Sequence, residues 1–147
     1  MSRHEVLPIP PAETATDPIA SPADLRQRWR SLMGPLGFGE RLLRFAFVGP
    51  DRRLLKVLSE MPVGVSPAPD VVDNLMSALS VLVAEVGAGS TVALLLSRPG
   101  LGGISNADRR WSVALTDAAE RLGVPIEPIF RANDEAIVLL DPKANAA

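Results

Sequence analysis

The run Thr91-Val92-Ala93-Leu94-Leu95-Leu96-Ser97-Arg98-Pro99-Gly100-Leu101-Gly102-Gly103-Ile104-Ser105-Asn106-Ala107-Asp108 joins three kinds of local physics in eighteen residues. Thr91 to Leu96 carries no charge and no breaker, which predicts a strand covered on both faces at the centre of a sheet. Arg98 to Ile104, with one proline and three glycines, reads as a loop. Ser105 then opens a helix to Leu122, with Trp111, Ala114, Leu115, Ala118 and Leu122 on one face and Gly123 as its stop. A buried strand that passes through a glycine loop into an amphipathic helix is the building unit of an α/β domain.

Toward the N-terminus, Asp70 to Val86 spaces Val72, Leu75, Met76, Leu79, Val83 and Val86 at helical intervals, predicting a long and heavily buried helix. Its apolar surface is broad enough to pack on the sheet and on another element. Leu42 to Val48 and Arg53 to Leu58 flank the turn cluster Gly49-Pro50-Asp51-Arg52 and predict an antiparallel hairpin, with a helix over Arg52 to Glu60 as the alternative. Ser21, Pro22 and Asp24 start a first helix that carries Leu25, Trp29, Leu32 and Met33 on one face and ends near Gly34 or Gly37. Toward the C-terminus, strands are expected around Pro125 to Phe130 and Ala136 to Leu140, separated by a polar turn at Asn133-Asp134. The order predicts an α/β sandwich with a mixed central sheet.

The chain of 147 residues is 47% hydrophobic, 22% charged and 4% aromatic, which fits one domain. Its expected organisation is a flexible N-terminal arm over 1–20, rich in Pro8, Pro10, Pro11 and Pro18, a single domain over 21–142, and a flexible tail over 143–147. Zero cysteines and one histidine, His4, leave no thiol chemistry and none of the usual nitrogen and sulfur ligands of zinc. No apolar run reaches the roughly 18 residues of a membrane span, and no basic start precedes an apolar block, so a cytoplasmic location without a membrane partner is expected. Basic residues are nearly all arginine, with lysine at Lys56 and Lys143, a coding bias of the kind seen in GC-rich, actinobacterial-like genomes.

The spacing within the quoted run resembles a JAB/MPN domain of the RadC-like kind. Members of that family place His-x-His, seven residues and Ser-x-x-Asp at such a junction; the two histidines and the aspartate hold zinc, and a glutamate elsewhere is the general base. Here Leu95 and Ser97 stand at the histidine positions, Arg98 to Ile104 make the spacer, and Ser105 and Asp108 match. The resemblance runs from about residue 42 to 140 and includes the late Gly123-Val124-Pro125-Ile126. It implies a sandwich with cytidine-deaminase-like layering. Because the metal-binding histidines are missing, it also implies a non-catalytic, metal-free pseudoenzyme without a cofactor, serving as a protein-interaction or scaffold domain whose partner is another protein or a second copy.

Other readings attach to the same residues. Ser105 and Asp108 suit a capping box, with aspartate in place of the usual Glu or Gln. Arg98, Gly100, Gly102, Gly103, Ser105 and Asp108 could form an anion loop for a small acidic ligand, or serve a weak hydrolase. That pattern lacks both the dinucleotide fingerprint and the P-loop lysine. Ser97 has no activating histidine nearby and reads as structural. From Ser21 to Lys56, Arg26, Arg28, Arg30, Arg41, Arg44, Arg52, Arg53 and Lys56 outnumber three acids to leave +5, while Ser59 to Ala147 is net −5. That asymmetry supports nucleic acid as a less favoured partner, since few aromatic residues are interleaved for stacking. Trp29 and Trp111 are expected as core or interface anchors rather than ligand platforms, and Asp117 with Arg121 as an ordinary i, i+4 surface pair.

Overall fold

The computed structural model describes residues 9–141, so His4 and the expected tail over 143–147 lie outside the described residues. Strand β3 (Thr91–Ser97) is buried from Val92 to Ser97 and sits third in a five-stranded sheet. β1 (Leu42–Val48) and β2 (Leu54–Pro62) form the antiparallel hairpin, and β1 also pairs antiparallel with β3. β4 (Ile129–Ala132) runs parallel to β3, and β5 (Ile137–Leu140) returns antiparallel, completing the order β2-β1-β3-β4-β5. The sheet is therefore mixed, and the α/β class follows from sequence and structure alike. β2 extends beyond Leu58, which removes the helical alternative.

The period-2 alternation of β3 divides its side chains between two cores. Val92, Leu94 and Leu96 pack with Val72, Met76, Leu79 and Val83 of α2 (Pro69–Val86) and with Trp111, Leu115 and Ala118 of α3 (Asn106–Leu122). Ala93 and Leu95 face the other way, against Leu25 and Trp29 of α1 (Pro22–Met33). Each helix stops at a glycine: Gly34, Gly87 and Gly123. Gly123 holds the left-handed φ of 68° that favours a residue without Cβ. Ser21 caps α1 by accepting from the Asp24 amide.

Several expectations change. Residues 12–19 are not a loose arm: Ala12–Thr16 form a 3-10 turn, Ala15 and Ile19 are buried, and the Ile19 amide donates to the Arg52 carbonyl. Ser31 Oγ donates to the Pro11 carbonyl, so polar contacts as well as apolar burial hold this segment, and composition alone does not reveal them. Leu32 is exposed rather than part of the buried stripe, while Arg30 and Ser31 are buried beside Trp29. β4 begins later than expected because Pro125 and Pro128 cannot donate to a ladder; Ile126 makes only an isolated bridge to Val92. Arg121 pairs at 2.7 Å with Asp73 of α2 instead of with Asp117, which ties the two helices together. α2 leaves Val71, Val81 and Leu82 exposed. Among the described residues no helix is long and apolar enough to cross a membrane.

Candidate functional site

The loop Arg98 to Ile104 and the first turn of α3 surround a buried ionic cluster. Ser105 Oγ accepts from the Asp108 amide at 3.1 Å, and Asp108 Oδ2 accepts from the Ser105 amide at 3.0 Å, completing the capping box. The same carboxylate is gripped by Arg98, whose Nε donates to Oδ1 at 2.8 Å and whose second nitrogen donates to Oδ2 at 2.9 Å. Arg131, on the α3 side of β4, brings a second guanidinium to 3.6 Å from Oδ2. The Asp108 side chain is fully buried, and those of Arg131 and Arg98 are 1% and 9% exposed. Burial pushes the Asp108 carboxyl up, but the Arg98 and Ser105 hydrogen bonds and the two arginine charges outweigh it and hold it below the usual range. Hydrogen bonding to Asp108 raises Arg98, while burial lowers Arg131.

The anion loop comes together, but two of its three glycine amides are already occupied. Gly100 N–H donates to Asp134 Oδ2 at 2.8 Å and Gly102 N–H to Glu135 Oε1 at 2.9 Å. Asp134 Oδ1 also accepts from the Phe38 amide, so one carboxylate ties this loop to the segment after α1. Asn133, fully buried, donates to the Gly102 carbonyl and accepts from the Glu135 and Ala136 amides. Arg131 donates to the Gly103 carbonyl at 3.0 Å. The turn between β4 and β5 thus supplies the acids that a ligand would have supplied. Leu101 stays 57% exposed while Ile104 packs on the α2–α3 core, so the loop is half folded inward.

The positions corresponding to the missing histidines do not converge on Asp108. Leu95 packs in the α1-side core. Ser97, two residues on, shares that side; its Oγ accepts from Arg44 Nε at 3.0 Å and faces the Leu42 carbonyl. Asp108 lies across the sheet at the α3 side, so the spacing match does not extend to a shared metal pocket. Among the described residues no three His, Cys, Asp or Glu side chains gather as a metal-binding group.

The arginines of the first third are dispersed and mostly engaged. Arg26 donates to the Ile137 carbonyl, Arg28 to Asp17 and Pro18, Arg30 to Gly34, and Arg53 to Thr16. Arg44 bonds Glu60 and lies 5.7 Å from the Phe38 ring centre. Arg52 forms two hydrogen bonds, 2.8 and 2.9 Å, to Glu127, which also accepts from Thr91. Those bonds raise Arg52 and hold Glu127 below its ordinary range against the effect of burial. Arg131, Asn133 and Asp134 were the parts of the cluster without a sequence signal, since nothing local ties them to Asp108. A comparison with protein-family models finds no match, and neither does a comparison with curated proteins.

Proposed function

We propose that this chain is a non-catalytic, metal-free α/β domain of JAB/MPN-like layering that works as a protein-interaction or scaffold domain. The observation that carries this reading is the two-pronged clamp of Arg98 on Asp108. A zinc-activated water needs a carboxylate free to ligate and partners that hold the ion open. Asp108 instead spends its oxygens on a guanidinium and a backbone amide, so an internal cation stands in for a metal. The order of hairpin, helix, buried strand, glycine loop and capped helix supports the layering. Partner binding is supported by exposed apolar side chains on β2 and α2.

The test is hydrolysis of peptide and isopeptide-linked substrates by the purified chain after equilibration with zinc. No cleavage is expected, with or without chelator. Cleavage abolished by chelator overturns the metal-free part of the reading, and cleavage that survives chelator overturns the non-catalytic part.

A further inference from the structure

We infer that β2 is a self-pairing edge at which a second copy of this chain docks antiparallel, extending the sheet across a two-fold axis. The inference names the partner within the interaction reading above and rests on that reading. β2 pairs with β1 along one side only, and its other edge meets no strand among the described residues. An open edge offers a row of unpaired amides and carbonyls, which proteins ordinarily blunt or cover. This one is long, running Leu54–Pro62, and presents Leu55, Val57 and Leu58 at 41%, 62% and 38% exposure.

Charge selects the occupant. In an antiparallel pairing centred on Leu58, Leu58 meets its own copy, Val57 meets Ser59 and Lys56 meets Glu60, twice per dimer by symmetry. Lys56 is exposed and makes no ion pair among the described residues. Glu60 binds Arg44 through Oε2, and its side chain remains 51% exposed, so its other oxygen is accessible to a partner's lysine. Pro62, which lacks an amide, closes the ladder at its end rather than interrupting it. β2 sets Leu55 to Val57 against Phe47 alone, a bulge that bends the strand, and the flexible four-carbon stem of Lys56 spans the resulting offset. Beside the edge, on the α1 side, lies a mainly apolar groove of about 480 Å³ lined by Ala12, Glu13, Ala15, Leu32, Leu54 and Leu58. The partner's Leu58 meets its rim.

The test uses the full chain in sedimentation velocity across a concentration series, with circular dichroism confirming the fold of each variant. Wild type is expected to dimerise. Lys56→Glu and Glu60→Lys each set like charges opposite at two places, and each is expected to weaken the dimer by about 30-fold. Mixed in equal amounts, the two variants regain opposite charges at both places and are expected to form a heterodimer of near wild-type strength. A monomeric wild type overturns the inference; so does a dimer indifferent to both substitutions, or a mixture that stays weak. Hydrolysis assays do not depend on these surface charges, so failure here leaves the metal-free reading standing.

Discussion

Replacing Asp108 by asparagine removes one charge and almost no volume, leaving Arg98 and Arg131 buried without their carboxylate. Water cannot take its place, because the Asp108 side chain is inaccessible and Arg131 is 1% exposed. Breaking a buried pair by deleting one partner costs about 3–5 kcal/mol, a large share of the roughly 5–15 kcal/mol that holds a domain folded. At about 2–4 °C per kcal/mol for a chain of this size, the melting temperature of Asp108→Asn falls by about 10 °C. Ser105→Ala, which removes half of the cap and keeps the ion pair, costs about 1 kcal/mol. Urea unfolding of both variants, of Arg98→Met and of Arg98→Met/Asp108→Asn separates the terms: the double variant loses less than the sum of Arg98→Met and Asp108→Asn, because the two side chains share one interaction. An Asp108→Asn protein within about 1 kcal/mol of wild type contradicts the claim that this pair is buried and mutually dependent.

Acid should unfold the protein through the same groups. Asp108 and Glu127 titrate below their ordinary range when folded, so the unfolded chain takes up protons first as pH falls. Their contribution is complete above about pH 5, declines through about pH 4 and is lost below the folded pKa values, and Asp108→Asn flattens that slope in chemical unfolding measured against pH. Arg52 adopts φ 63° in the hairpin turn, which glycine tolerates better. Arg52→Ala and Arg52→Gly both lose the Glu127 pair, and thermal melts should place the glycine variant about 1 kcal/mol above the alanine one. Asp134→Ala frees the Gly100 and Phe38 amides together, and hydrogen exchange is expected to accelerate at both sites while the core of β3 stays protected. Unchanged exchange at Gly100 would remove Asp134 from its role in holding the loop.

Much of the fold was legible because its signals are local. Ser21 and Ser105 caps, the stopping glycines, the apolar run of β3 and the α2 periodicity each depend on neighbours a few residues away. The capping reading of Ser105 and Asp108 also rests on adjacent backbone groups, and it holds. The rest of the site was hidden because its partners come from distant chain. Arg131 and Asp134 approach the loop only after β4 has docked beside β3, and no spacing rule links Gly100 to Asp134. The packed segment around Ile19 was obscured by proline-rich composition, although two buried side chains, Ala15 and Ile19, and a few hydrogen bonds to its backbone hold it. Leu32 satisfied the helical spacing, yet it faces the groove beside β2 rather than the core.

The central claim is that the cation opposite Asp108 is a guanidinium belonging to the chain itself. The most direct measurement is the zinc content of the purified protein by mass spectrometry after saturation with zinc and gel filtration. No retained zinc is expected. One zinc per chain, lost on Asp108→Asn, would contradict the account.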